Sequence, residues 1–376
     1  MTFNYNLPVN LLFGRGRVSE AGTVAAGYGK KALVVTGLSS TKKSGLLDRV
    51  TGYLKEAGLE YAVFDKVSQN PLTTAAEEGD RFSREEGCDV IIGLGGGSIM
   101  DCAKAIAFLG KNSGDINDYI YARKKSDDAL PIVLVPTTCG TGSEGNGFAV
   151  LTNPENGDKK SLRCNAIIAK ASIIDSQLME TMPKSVLASV GFDALCHCME
   201  AYISKIGQPI TEVLSLQGMK LMGENLVSLF KGAGGPDAWD AVTWASTMGG
   251  MVINIAGVTL PHSMEHPASG LRGIVHGKGL AALTPIILEE SIHGCPEKFA
   301  SISRCLGGKD EKDCGERVRR LLGELGLSTT LSEQGIRKED VDWMAENCFK
   351  VSAAGIANHP VAFDREGVKR LYLKAL

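Results

Sequence analysis

Five side chains able to bind a divalent ion fall into two short clusters: Asp193 and His197 in one, His262, His266 and His276 in the other. The chain has only six histidines, so four of them lie in these clusters. Asp193 and His197 belong to the helix-like run GFDALCHCMEAYIS. Positions i and i+4 share one helix face, so both side chains can reach a single ion. His262 and His266 repeat that spacing in LPHSMEHPASG, and His276 follows in IVHGKG, where the adjoining glycine admits a close backbone approach. Three imidazoles and a carboxylate suit a borderline ion such as Fe²⁺, Zn²⁺ or Co²⁺. Such a site is structural when four protein ligands close it and catalytic when it accepts a further one. A lone histidine more often satisfies a local hydrogen bond than binds a metal. Two spaced clusters in a histidine-poor chain favour the ion.

The first half of the chain carries a different signal. KALVVT (31–36), 61–65, DVIIGL (89–94) and PIVLVP (131–136) are apolar, β-branched runs alternating with helical stretches, which predicts a parallel sheet with helices on both faces. Asn70-Pro71 marks a turn after the second run. The third run ends in Gly95-Gly96-Gly97, followed by Ser98 as a candidate cap and Asp101 three positions on, as in a capping box. A glycine loop opening a helix presents free N–H groups and the positive end of the helix dipole, a ready site for a diphosphate. It is neither a Walker A sequence nor GxGxxG, and an unliganded strand-to-helix turn would read the same way. After the fourth run, Thr137, Thr138, Thr141 and Ser143 put hydroxyls on a glycine-bearing loop, able to bind phosphate or ribose or simply to make turns. From about residue 183 the periodicity is helical and strands are hard to find.

A length of 376 residues predicts two domains, divided here at 1–184 and 185–376, with a site in the cleft between them. A net charge of −3 without a basic stripe argues against a nucleic-acid partner. No apolar run reaches the roughly 18 residues that span a membrane, so no membrane partner is expected. Ten scattered cysteines and an N-terminus unlike a signal peptide point to a cytoplasmic protein with reduced thiols.

Taken together, GGGSIMDCAK (95–104), PTTCGTGSE (136–144), GFDALCHCMEAY (191–202) and the HSMEH…HG set (262–277) resemble the iron-dependent, group III alcohol dehydrogenases over essentially the whole chain. The resemblance implies an α/β, Rossmann-like dinucleotide-binding domain followed by an all-α metal-binding domain, the dehydroquinate-synthase-like architecture. It implies Asp193, His197, His262 and His276 as ligands of Fe²⁺, with Zn²⁺ also accommodated, and His266 near the substrate as a proton relay. Gly96, Gly97 and Ser98 would hold the cofactor diphosphate, with Asn70, Thr137, Thr138 and Lys160 along the cofactor. The implied activity is reversible hydride transfer between a nicotinamide and a small aldehyde or alcohol, in a homodimer.

Three positions depart from the family pattern. Many members have an Asp after the first strand; here Gly37 stands there, followed by Leu38, Ser39, Ser40, Thr41 and two lysines. Losing a carboxylate and gaining hydroxyls and positive charge favours NADP(H) over NAD(H). Glu265 replaces a small residue, and the C-terminal SAAGIANHPVAFD is a loose version of the family's segment. Glu265 also makes HxxEH, the inverted zinc-peptidase pattern, in which it would activate water. The same motifs would also suit a non-redox lyase of dehydroquinate-synthase type, which consumes no net NAD(P)H, or a nucleotide-binding protein without turnover.

Overall fold

The computed structural model describes residues 2–376. Among the described residues there are eight strands: β1 (Asn10–Phe13), β2 (Lys31–Gly37), β3 (Glu60–Val67), β4 (Val90–Gly95), β5 (Ile132–Pro136), β6 (Phe148–Thr152), β7 (Lys159–Arg163) and β8 (Ala171–Ile174). Six make one sheet in the order β1-β8-β5-β4-β2-β3, with every pair parallel. β2, β4 and β5 read as near-continuous Val, Ile and Leu because helices cover both faces of such a sheet. Strand order reverses between β2 and β4: β3 lies outside β2, whereas β5 lies beyond β4. The loops after β2 and β4 therefore flank the crevice where doubly wound sheets take their ligands.

β6 and β7 form a separate antiparallel ribbon, a feature the sequence pattern does not flag. KKSLR has too few apolar residues to mark a strand by periodicity. After Ile174 the named elements of the described residues are helical: a short 3-10 turn at Ser176–Thr181, then the long α-helix Lys184–Ile203. That helix departs from the membrane expectation, since it is long and apolar enough to cross a bilayer; 89% of its most apolar window is nevertheless buried within the protein. A helix apolar nearly all round belongs in a core. Pro236–Ala256 and Leu260–Arg272 meet at a bend of 102°, and the second of these carries His266 and His262, the latter reaching Asp193 and Glu200 of the buried helix.

The helix after the glycine loop, Gly97–Leu109, has no side-chain cap, so the expected capping box does not form. Asp101 turns inward, accepting from the Ser143 hydroxyl at 2.7 Å and from the Val150 N–H at 3.0 Å. Lys104 is fully buried, and its ammonium reaches Ser143 O, Ser143 Oγ, Asn146 O, Asn146 Oδ1 and Phe148 O within 3.1 Å. Burial lowers its pKa to about 8, against the opposing pull of Asp101 and Glu144. This hub ties the glycine-loop helix to the loop after β5 and to the ribbon. Lys104→Met leaves three buried carbonyls without their donor and is expected to lower stability by about 3 kcal/mol, against about 1 kcal/mol for Ser143→Ala. The shift in the urea unfolding midpoint measures both.

Candidate metal and cofactor site

Asp193, His197 and Glu200 stand at i, i+4 and i+7 of the Lys184–Ile203 helix and so share one face. Three imidazole nitrogens converge on one oxygen of Asp193: Nε2 of His262 at 3.2 Å, of His276 at 3.5 Å and of His197 at 3.6 Å from Oδ1. The rings of His197 and His262 stack with centroids 4.5 Å apart. Gly277 permits the approach of His276, because a Cβ there would lie 2.2 Å from the Ser189 carbonyl oxygen.

Carboxylates stand behind two of the rings. Glu200 Oε1 lies 2.5 Å from His262 Nδ1, while its Oε2 accepts from the Thr259 N–H at 2.7 Å. Glu265 contacts His276 Nδ1, accepts from the Ser269 hydroxyl, and lies 3.6 Å from Lys159 Nζ. A carboxylate at Nδ1 selects the tautomer that leaves Nε2 with its lone pair turned to the centre. Donor atoms of Asp193, His262 and His276 all lie within 4.8 Å of one another, with His197 Nε2 approaching the same Asp193 oxygen beside them, and these residues could hold a divalent cation.

In the absence of an ion the carboxylates keep imidazole protons in the cluster, and a cation would have to displace the proton on His262 to reach Nε2. Burial drives His197 down to about 4. Burial also opposes charge on His262, yet Glu200 and Asp193 raise it to about 10. Asp193 would be raised by burial, but the imidazoles of His197, His276 and His262 hold it well below the carboxylate range. His266 is pushed well below its usual value by burial, with Lys159 adding to the effect, and so stands neutral.

A cavity of about 520 Å³ joins this cluster to the glycine loop. Asn70, Gly96, Gly97, Ser98, Asp101, Thr138, Thr141, Asp193, His197, His262, His266 and His276 all line it. Asn70 has a left-handed backbone (φ 51°), which asparagine tolerates better than most residues. Gly97 lets the two loops touch, since a Cβ there would sit 2.3 Å from Thr141 Cγ2.

Other expected cofactor residues are placed differently. Gly95 and Thr137 lie behind the loops, joined by the Thr137 N–H to Gly95 O bond. Ser143 is buried in the Lys104 hub, and Asp101, although it lines the cavity, accepts from Ser143 and Val150 with its two oxygens. Lys160 is not part of the cavity lining: its ammonium donates to Val351 O at 2.7 Å. Neighbours on a strand face opposite ways, and it is Lys159 that lines the cavity. Gly37, Ser39 and Ser40 are outside the cavity, at the end of β2 beside the glycine loop.

The sequence pattern also gives no direct sign of Glu200 and Glu265 as supports. Glu200 was detectable as the third member of the i, i+4, i+7 series. Glu265 points neither into solvent nor at a free water site: it is fully buried against His276, Lys159 and Ser269, which removes the basis of the peptidase reading.

Residues 8–176 match the family model for iron-containing alcohol dehydrogenases, and residues 187–376 match the model for the C-terminal part of that family. The chain is 33% identical to the NAD-dependent methanol dehydrogenase of Bacillus methanolicus over 356 residues, covering 92% of this chain and 93% of that protein. It is 35% identical to the 1,3-propanediol dehydrogenase of Klebsiella pneumoniae over 359 residues, 93% of this chain and 92% of that one. Its fold superposes on an archaeal halo-thermophilic alcohol dehydrogenase from a Red Sea brine pool with a TM-score of 0.96, at 32% identity, covering 100% and 99% of the two chains. The chain belongs to the iron-containing alcohol dehydrogenase family. It is an oxidoreductase of the alcohol dehydrogenase class, and nothing in these relationships favours a lyase.

Glu265→Ala would leave the Lys159 ammonium and His276 Nδ1 without their shared carboxylate. The expected loss is about 3 kcal/mol, read as a lower urea midpoint, with Glu265→Gln recovering part of it.

Proposed function

We propose that Asp193, His197, His262 and His276 hold Fe²⁺ or Zn²⁺, and that this chain interconverts a small aldehyde and its alcohol at that point using NADP(H) in preference to NAD(H). The observation that carries the metal assignment is the convergence of three Nε2 atoms on Asp193 Oδ1. A divalent ion there supplies Lewis-acid polarisation of the substrate oxygen. The protein's own residues do the positioning. The uncapped start of the Gly97–Leu109 helix offers its amides to the diphosphate, with Ser98, Thr138 and Thr141 beside it. Asn70 and Lys159 lie along the cavity wall, on the route from that loop to the histidines. His266, neutral and lining the cavity, is placed to pass a proton between substrate and solvent.

The cofactor preference rests on the end of β2. Residues 37–41 bring no carboxylate there, Ser39 and Ser40 are exposed, and the charge of Asp65 on the neighbouring β3 is offset by Lys42. A 2′-phosphate meets hydroxyls and cations rather than a free acid. A homodimer is carried over from the family resemblance, and β1, at the edge of the sheet, offers a strand for pairing. Ten unpaired cysteines suit a reducing, cytoplasmic setting.

Protein stripped with chelator is expected to be inactive and to regain NADPH oxidation with short aldehydes on anaerobic addition of Fe²⁺ or Zn²⁺. kcat/KM for NADPH should exceed that for NADH; a clear NADH preference would refute the cofactor assignment. Metal analysis separates the histidines. His276→Ala should lower metal occupancy, whereas His266→Ala should keep the metal and lose turnover.

A further inference from the structure

Five residues of the β6–β7 ribbon face the cavity: Phe148 and Val150 from one strand, Lys159, Ser161 and Arg163 from the other. They are the alternate positions of two paired strands, with Phe148 opposite Arg163 and Val150 opposite Ser161. The two cations sit at opposite ends of β7, about 13 Å apart along the strand at ~3.3 Å per residue. Lys159 is spent on Glu265 and His276. Arg163 differs, because among the described residues it makes no side-chain hydrogen bond and no ion pair. Its guanidinium lies 4.5 Å from the ring centre of Phe148. Phe148 in turn packs with Val258 against the cluster that contains Ile253, and all three line the same cavity. Arg163 is an exposed residue on the cavity wall, open to a ligand from solvent, and no acidic side chain among the described residues pairs with it.

An arginine oriented by an aromatic face, with its five N–H groups unassigned, on the wall of a substrate cavity, is built to receive a planar or tetrahedral oxyanion in bidentate fashion. We propose that Arg163 is a specificity-determining residue, and that the substrate is a short alcohol or aldehyde bearing a terminal oxyanion (a carboxylate, sulfonate or phosphonate) at the end away from the reacting carbon. This rests on the dehydrogenase reading given above. The apolar stretch of Phe148, Val150, Ile253 and Val258 would hold the carbon chain between the two ends. In oxidation the carbinol hydride passes to the nicotinamide and the hydroxyl proton leaves to solvent; the oxyanion is unchanged.

The test combines calorimetry and steady-state kinetics on metal-loaded protein, using γ-hydroxybutyrate, hydroxypropanesulfonate and the neutral amide of γ-hydroxybutyrate, with wild type, Arg163→Gln and Arg163→Lys. Wild type should bind and oxidise at least one of the two acids about 10- to 100-fold better than the amide. Arg163→Gln should abolish that preference and leave the amide within about twofold. Arg163→Lys should restore part of it. The ratio between the two acids distinguishes a carboxylate from a sulfonate subsite. An equal loss for acid and amide in Arg163→Gln overturns the proposal in favour of packing on Phe148, and so does a rise in KM for NADPH alone, which would place the guanidinium on the cofactor. No preference in wild type also overturns it. If discrimination persists in binding while no compound is turned over, the dehydrogenase reading fails and the oxyanion site stands.

Discussion

The structure depends on keeping charge inside a helical core. Asp193, Glu200 and Glu265 are all buried, as are His197 and His262, on or against a helix apolar enough to be mistaken for a membrane span. No single one of these groups is tolerable there alone, because an unpaired buried charge costs several kcal/mol. They are tolerable as a set. Each carboxylate faces at least one imidazole, and the outward carboxylates also accept from Thr259 and Ser269. The bend before Leu260 and the close contact at Gly277 follow from that requirement, since both bring a histidine to Asp193.

The other half of the cavity works by the opposite means. Its loops present backbone amides and neutral hydroxyls rather than paired charges, and their shape is held from behind by the Lys104 hub. The reversal of strand order between β2 and β4 opens the crevice, and the hub fixes how the loop after β5 closes over it. Two kinds of preorganisation therefore meet in one space: fixed dipoles on the nucleotide side and balanced ions on the metal side.

Much of this was legible in the sequence. Four of the six parallel strands announced themselves as apolar runs, with ends that differ from the expected ones by one or two residues, whereas the short β1 and β8 did not. Helical spacing pointed Asp193 and His197 the same way but paired His262 with His266; taking His276 in place of His266 rested on the family resemblance. The failures have equally physical causes. Lys159 and Lys160 are adjacent in a polar strand, and without an apolar alternation nothing fixed which of them faces inward. Ser143 and Asp101 carry the right atoms for a ligand, but a buried ammonium supplied by Lys104 had the prior claim on the hydroxyl, and a buried lysine leaves no mark in composition. The role of Glu265 escaped the sequence because its partners come from the ribbon and from beyond the next turn, at separations no local pattern records.

The ribbon has a wider consequence. β6 and β7 pair with each other and belong to neither the six-stranded sheet nor the helical bundle, apart from a single bridge between Leu72 and Thr152. Apart from Lys159, which is tied to Glu265 and His276, its inward side chains can therefore be exchanged without breaking a ladder bond of the main sheet or a contact of the histidine cluster. Such an arrangement is modular: one wall of the reaction chamber can be rewritten, residue by residue, while the parts that hold charge and nucleotide stay as they are. A family built this way can diversify what it accepts much faster than how it reacts.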